Sequence, residues 1–279
     1  MLILRKFLRD IPAVAGLAIV LLVVLLALFG PLIAPYPGDI TAAHLARRLA
    51  APSAQFPFGT DDLGRDMLSR VILGAPGALE VALFVVVTAM AVGVPLGLIA
   101  GYTEGWLSEL IMRVTDVFLA LPQLVLALAL AQLMTPSLRS AMLALAITYW
   151  PYFTRIAFAE TRRLRSALFV DALAALGASR ARIILAHILP NAASALIVRA
   201  TIGLGFTILV AATLGFLGMG ATPPDPDWGL MIAQSRNYLP GAWWYALFPG
   251  LAILVTVLGF NLLGDGLRDI VAPRLRRSR

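Results

Sequence analysis

The sequence contains no cysteine, one lysine, two histidines and few charged residues for its length. Without cysteine, the chain can form neither disulfides nor thiolate metal sites. His44 and His187 are far apart in the sequence and indicate no metal cluster. A P-loop needs a lysine that reaches the phosphates, and Lys6 lies at the N-terminus, outside any such motif. We therefore expect no metal, no bound cofactor and no ATP site in this chain.

The low charge content indicates a surface that faces lipid. Charged residues make up 13% of the 279 residues and hydrophobic residues 60%, whereas about a quarter of a soluble domain is charged. The net charge of +7 comes from basic residues that lie between apolar runs. This pattern is typical of binding to an anionic membrane surface and disfavours nucleic acid as a partner. The composition predicts an all-α, multi-pass membrane protein.

Six apolar stretches are long enough to cross the hydrocarbon core, which needs about 20 residues. They are residues 12–33, 79–101, 112–134, 139–158, 195–219 and 244–264. The first run exceeds the roughly 7–15 residues of a signal-peptide core, so we expect a retained helix. Pro95, Pro122 and Pro249 are expected as kinks that helix packing tolerates. Gly93, Gly97 and Gly101, spaced four apart, predict close packing of the second span against a neighbour.

The arginines predict that both termini lie in the cytoplasm. On this topology the cytoplasmic segments hold Arg5, Lys6, Arg9, Arg113, Arg155, Arg162, Arg163, Arg165, Arg180, Arg182, Arg268, Arg274, Arg276, Arg277 and Arg279. The opposite side holds Arg47, Arg48, Arg65, Arg70, Arg139 and Arg236. Residues 34–77 and 220–243 then lie outside, and residues 159–194 form the long cytoplasmic loop.

The spans carry no ionisable residue at their middles, which disfavours an ion-coupled transporter or a proton pump. Four charged residues are expected near span ends as interfacial charges: Glu80, Asp116, Arg155 and Arg199. No HExxH, GxSxG or paired intramembrane aspartates occur, so the chain is not expected to be an enzyme. The energy for transport would come from outside the membrane, and an ATP-independent secondary transporter or channel is the rival hypothesis.

The cytoplasmic loop contains the segment FVDALAALGASRARIILAHILPN, Phe169 to Asn191. It predicts two short helices that are broken at Gly177, where a left-handed residue turns the chain. Ala172, Ala174 and Ala175 would give a surface of low relief that fits into a partner's groove. The residues alone leave a second interpretation open, in which the loop is an amphipathic connector that lies on the membrane.

This loop resembles the EAA loop of binding-protein-dependent ABC importer permeases, whose pattern is Glu-Ala-Ala, three residues, Gly, and later a hydrophobic residue followed by Pro. Asp171 stands in place of Glu, Ala172 matches, and Leu173 replaces the second Ala. Gly177 and the pair Leu189–Pro190 match the remaining positions. The resemblance implies a type I ABC importer permease fold and a coupling site that docks on an ATPase. The residues it assigns to that site are Asp171, Ala172, Leu173, Gly177, His187, Leu189 and Pro190.

Three further segments are similar to the dipeptide, oligopeptide and nickel permeases: Phe58–Arg70, Gly215–Ile232 and Asn261–Asp269. The resemblance implies division into 1–77, a first helix with an external segment, and 78–279, a five-helix core with the coupling loop at about 159–194. It implies an inner-membrane subunit that partners a homologous permease, two ATPases that bind ATP and Mg²⁺, an external binding protein, and membrane lipid. The implied cargo is a di- or oligopeptide, with nickel chelates or glutathione as alternatives.

The external segments carry charged and aromatic residues whose roles the sequence leaves open. If Phe58–Arg70 is helical, Asp61–Arg65 and Asp66–Arg70 attract while Asp62 and Asp66 repel. A self-paired external cap is expected there, with contact to substrate or binding protein as the alternative. Trp228, Trp243 and Trp244 are expected as interfacial anchors, and Asp225 and Asp227 as solvated charges or contacts to a binding protein. Gln132 and Gln234 are candidates for weak contact with cargo.

Overall fold

The structure is a computed structural model that describes residue 7 and residues 9–271. Throughout this described part the regular structure is helical, and the chain forms no β-strand there beyond one bridge between Thr60 and Asp66. The terminal basic residues counted above, Arg5, Lys6, Arg274, Arg276, Arg277 and Arg279, lie outside the described residues.

Ten α-helices follow one another in the described part of the chain. They are α1 (Ile11–Ile33), α2 (Met67–Tyr102), α3 (Trp106–Ala120), α4 (Gln123–Gln132), α5 (Leu138–Arg165), α6 (Leu168–Ala175), α7 (Arg180–Ile183), α8 (Leu189–Phe216), α9 (Trp228–Ser235) and α10 (Trp243–Val271). A π-helical turn, Ile184–Ile188, joins α7 to α8.

Helix α1 matches its predicted bounds to within one residue. Asp10 caps its N-terminus by accepting a hydrogen bond from the backbone N–H of Ala13 at 3.2 Å. The helix packs closely on α10, because a Cβ at Gly16 would lie 2.5 Å from the backbone nitrogen of Leu263. Most of its remaining surface is exposed and apolar, as in Leu22 and Leu28, which suits contact with lipid.

The glycine face predicted for the second span is confirmed, and its neighbour is α5. A Cβ at Gly93 or Gly97 would overlap the backbone carbonyl of Trp150 or Thr154. Thr154 Oγ1 also donates a hydrogen bond to the carbonyl of Gly93 at 3.1 Å. The two helices therefore meet backbone to backbone, which only small residues permit.

The third predicted span, 112–134, is not one continuous helix. Helices α3 and α4 meet at a bend of 86°. The break falls at Leu121, whose backbone is extended, followed by Pro122. A proline disfavours helical geometry in the residue before it, so the expectation that Pro122 would be tolerated as a mild kink is wrong.

Four helices are long and apolar enough to cross a membrane, or five if the bent pair α3 and α4 counts as one. The fourth predicted span forms α5 but does not meet this criterion, because polar and aromatic residues such as Thr148, Tyr149 and Tyr152 interrupt its apolar sequence. The helix is nevertheless central, since Leu145, Tyr149 and Phe153 are fully buried in the main core.

Two of the three tryptophans make buried contacts: Trp244 of α10 contacts the first external segment, and Trp228 of α9 contacts α2. Trp244 Nε1 donates to the carbonyl of Thr60 at 3.1 Å, and Trp228 Nε1 donates to that of Val71 at 2.9 Å. Both rings are buried, whereas Trp243 is 50% exposed. The prediction of interfacial anchors is therefore wrong for Trp228 and Trp244, because a buried indole N–H needs a partner inside the protein.

Candidate functional site

The cytoplasmic loop of the predicted coupling site begins directly after α5. Helix α6 contains Asp171 in its first turn and ends at Ala175. The loop shape follows the prediction: a first short helix, a break at Gly177, and a second short helix that starts at Arg180. The two helices are joined by only four residues, so the local hydrogen bonds largely decide its conformation.

The break at Gly177 is a Schellman motif. Gly177 has a φ of +83°, and its N–H donates to the carbonyl of Ala174 at 3.0 Å. The N–H of Ala178 donates to the carbonyl of Leu173, also at 3.0 Å. This pair of bonds requires a left-handed residue at the turn, where glycine has no Cβ penalty. The chain direction after α6 is therefore fixed by local geometry.

The second half of the loop leads into α8 through the π-helical turn. Ser179 caps α7, and its hydroxyl accepts a hydrogen bond from the N–H of Arg182 at 3.3 Å. Pro190 lies in the first turn of α8, and its ring cannot donate to the preceding turn. A π turn accommodates such a disruption by shifting the hydrogen-bond register. The amide of Asn191 donates to the carbonyl of His187 at 2.7 Å.

One side of the loop is anchored in the main core and the other is open. Val170, Ile183 and Ile188 are buried in that core. On the open side, Leu168 is 87% exposed and Leu176 is 85% exposed. An exposed apolar surface of this kind is typical of a contact with another protein or with a membrane.

The predicted site residues all lie in this loop, and they differ in solvent exposure. Asp171, Ala172, Gly177 and Pro190 are exposed, whereas Leu173, His187 and Leu189 are half-buried. Leu173 and Leu189 pack against the main core and so anchor the loop. Within the described part of the chain, Asp171 has no basic nitrogen within 4 Å, so its charge is open to a partner.

The self-paired cap expected in the first external segment forms as a buried ion-pair network. Asp61 is 0% and Arg65 is 2% exposed, and Arg65 Nε lies 2.6 Å from Asp61 Oδ2. Arg70 Nε lies 3.5 Å from the same carboxylate oxygen. Segment 61–66 is a turn, and the helix begins only at Met67. The predicted Asp61–Arg65 contact therefore forms, but not on a helix, and the predicted Asp66–Arg70 attraction is wrong.

Asp66 serves instead as the N-cap of α2. Its carboxylate accepts from the Ser69 N–H at 2.8 Å and from the Ser69 hydroxyl at 2.7 Å. Burial raises the pKa of Asp66, and these two hydrogen bonds partly oppose that shift. Asp62 accepts from the hydroxyl of Tyr245 at 2.9 Å, a hydroxyl that Gln234 also contacts. These acids and Gln234 therefore stabilise the external fold.

The two aspartates of the second external loop differ. Asp227 caps α9 by accepting from the Leu230 N–H at 2.7 Å, and burial raises its pKa. Asp225 is exposed. Asp227 is therefore a structural cap, which the expectation of a solvated or binding charge missed. The signal was available, because an aspartate directly before an apolar run is typical of an N-cap.

Sequence reasoning also missed a polar contact between the long helices. Asp116 of α3 and Arg155 of α5 form an ion pair. The guanidinium of Arg199 in α8 lies over the rings of Tyr149 and Tyr152 in α5. Arg155 and Arg199 lie inside α5 and α8, and each helix continues on both sides of its arginine.

The fold is similar to that of a solved membrane transporter chain. The inward-facing MetNI methionine ABC transporter contains a similar chain, with a TM-score of 0.61 at 20% identity, covering 73% of this chain and 97% of that one. Residues 93–277 match the family described as binding-protein-dependent transport system inner membrane component. Residues 1–52 match the N-terminal TM domain of oligopeptide transport permease C.

Curated relatives match over nearly the whole chain. The dipeptide transport system permease protein DppC of Alkalihalophilus pseudofirmus is 44% identical, over 95% of this chain and 86% of the relative. The probable D,D-dipeptide transport system permease protein DdpC of Escherichia coli is 44% identical, over 94% and 87%. The glutathione transport system permease protein GsiD of Pectobacterium atrosepticum is 39% identical, over 98% and 90%.

The chain belongs to the family of binding-protein-dependent transport system inner membrane components. It is a multi-pass transport component of the inner membrane and not an enzyme. The residues that the structure describes contain no group of three or more His, Cys, Asp or Glu that could hold a metal ion.

Proposed function

We propose that this chain is a permease subunit of an ABC importer that carries di- or oligopeptides across the inner membrane. The observation that carries the proposal is the rigid cytoplasmic loop with its exposed surface around Asp171 and Leu176. The curated relatives, which transport dipeptides or glutathione, support a peptide cargo.

The topology of this proposal has six membrane crossings with both termini in the cytoplasm. Four apolar helices, the bent pair α3 and α4, and the central helix α5 supply the six. An even number of crossings places both termini on one side, and the arginine distribution favours the cytoplasm. The chain divides into 1–77, a first helix with the external segment, and 78–279, the five-helix core.

The cytoplasmic loop is the coupling site, with Asp171, Ala172, Leu173, Gly177, His187, Leu189 and Pro190 as its residues. The exposed alanines of α6 form a flat surface, and Leu168 and Leu176 supply apolar contact area. The Schellman turn sets the chain direction between α6 and α7, and these two short helices connect α5 to α8. A push on the loop would therefore tilt α5 and α8 instead of deforming the turn, which is what alternating access requires.

The assembly consists of this chain, a homologous permease, two cytoplasmic ATPases and an external binding protein. ATP and Mg²⁺ are bound by the ATPases, since this chain has no P-loop. Family membership supports the external binding protein and the ATP-driven mechanism over an ATP-independent transporter. Glutathione is the second candidate cargo, favoured by relatives such as GsiD, and a nickel chelate is the third.

Purification of the tagged chain from membranes in mild detergent tests the assembly. We expect a second permease and P-loop ATPases to co-purify, and we expect the reconstituted complex to take up peptide only with ATP. Glutathione and a nickel chelate are compared as competitors of peptide uptake. A chain that is purified alone and transports without ATPases would contradict the proposal.

A further inference from the structure

Arg199 of α8 is held against aromatic rings of α5. Its guanidinium carbon lies 4.9 Å from the ring centre of Tyr152 and 5.6 Å from that of Tyr149. Tyr149 is fully buried and packs 5.2 Å from Tyr152 and 6.2 Å from Phe206, measured between ring centres. A Cβ at Gly203, one turn after Arg199, would lie 2.8 Å from the Tyr149 hydroxyl oxygen. The tight packing of this tyrosine fixes the platform under the guanidinium.

This guanidinium has no carboxylate partner within the described part of the chain. None lies within 4 Å of Arg199 there, and the buried Nε of Arg199 and hydroxyl of Tyr149 have no hydrogen-bond partner. Arg155, three residues after Tyr152 on α5, already pairs with Asp116. Tyr149, Tyr152 and Arg155 follow one another at three-residue spacing on α5, so they lie along one side of that helix. Two arginines therefore share this region with one acid.

Arg199 lies inside the long helix α8 and not at either of its ends. At 1.5 Å per residue, Arg199 lies ~25 Å from Phe216 at the end of α8 and ~15 Å from Leu189 at its start, whereas the hydrocarbon core is about 30 Å thick. An arginine side chain does not lose its proton. On a helix that crosses the bilayer, such a charge is costly on a lipid-facing surface and is found near the interface or where it faces a water-filled path or an anion.

We infer that Arg199, on its Tyr149 and Tyr152 platform, binds the carboxylate of the cargo as it passes through the permease. A di- or oligopeptide carries a free C-terminal carboxylate, and glutathione carries carboxylates as well. A guanidinium donates two parallel hydrogen bonds to a carboxylate, and the terminal nitrogens of Arg199, which are not buried like its Nε, are the donors that a carboxylate can reach. The inference rests on the proposed peptide cargo.

The test uses the complete complex, reconstituted in proteoliposomes with its partner permease, ATPases and binding protein. Uptake of a tripeptide is compared with uptake of its C-terminal amide, each at a concentration that saturates the binding protein. We expect wild type to transport the acid faster. Arg199→Gln should lower uptake of the acid about tenfold and leave uptake of the amide unchanged, and Arg199→Lys should retain much of the preference.

The matched control is Arg162→Gln. The Arg162 guanidinium also lies over a ring, 5.6 Å from the centre of Phe158, but near the end of α5. We expect both uptake rates of this variant to equal those of wild type.

Three results would overturn the inference. An equal loss of acid and amide uptake in Arg199→Gln would indicate an acidic residue of the partner permease as the partner. Unchanged uptake of both would indicate a lipid headgroup. A wild-type complex that transports neither peptide would instead refute the proposed cargo, and the inference with it.

Discussion

Gly97 of α2 lies directly against the backbone carbonyl of Thr154 in α5, at a contact that leaves no room for a side chain. We expect Gly97→Ala to destabilise the protein by about 1–3 kcal/mol, because overpacking forces the helices apart. The measurement is the thermal unfolding midpoint of the purified complex.

Gly250→Ala is the matched control for Gly97→Ala. Gly250 lies inside α10, and a Cβ added there would have nothing within 4 Å. Alanine favours helix over glycine by about 1 kcal/mol, so the midpoint should stay or rise. A lower midpoint for Gly250→Ala than for Gly97→Ala would contradict the packing argument.

Gly177→Ala should impair coupling of ATP hydrolysis to transport. A residue with a Cβ in the left-handed conformation costs about 1–2 kcal/mol, which disfavours the turn between α6 and α7. We expect ATP hydrolysis to continue while peptide uptake per ATP falls, and Gly177→Pro should abolish uptake. Both are measured in proteoliposomes.

Gly218→Ala is the control for Gly177→Ala. Gly218 has a φ of +82° and ends α8 with the same pair of Schellman bonds, from Gly218 to Gly215 and from Met219 to Leu214. The backbone strain is therefore alike, but the turn lies at the opposite end of α8 from the coupling loop. Equal uncoupling by both variants would attribute the effect to strain and contradict the role of Gly177.

Asp171→Arg should prevent co-purification of the ATPases. Asp171 is exposed on the surface that we propose docks on the ATPase. The substitution replaces its negative charge with a positive one. Asp225→Arg, the same reversal at an exposed residue of the second external loop, should leave the complex intact. The measurement is the ratio of ATPase to permease in the purified complex, and full recovery with Asp171→Arg would refute the docking surface.

Arg65→Met should destabilise the external segment by about 3–5 kcal/mol, because it leaves the buried carboxylate of Asp61 without its closest cation. Arg113→Met is the control, since Arg113 and Glu109 form a mostly exposed pair at 3.7 Å whose loss should not be measurable. The unfolding midpoint checks both variants, and equal midpoints would show that the Asp61–Arg65 pair does not stabilise the fold.

The sequence predicted the elements that depend on local patterns. Three such elements could be predicted: the length of α1, the packing face of Gly93 and Gly97, and the turn at Gly177. Each follows from an apolar run, a residue spacing or a backbone preference. It did not predict the 86° break at Pro122, since a proline in an apolar run is compatible with a kinked helix or with two helices. Packing around the break decides between them.

For the candidate site, the loop residues and their order were predictable, whereas their exposures were not. Leu173 of α6 anchors the loop, whereas Leu176, the residue directly after that helix, is exposed. Which leucine is buried depends on how α6 lies against the core, and the helical pattern of eight residues is too short to show it.

The sequence alone determined that this chain is a helical membrane protein with a turn at Gly177, because hydrophobicity and backbone preferences are local properties. Only the tertiary structure decided that Asp61 and Arg65 are buried, that Asp116 pairs with Arg155, and that Arg199 rests on Tyr149 with no carboxylate beside it among the described residues. Such contacts join residues distant along the chain, and their energies depend on burial and distance. Neither quantity exists before the helices pack.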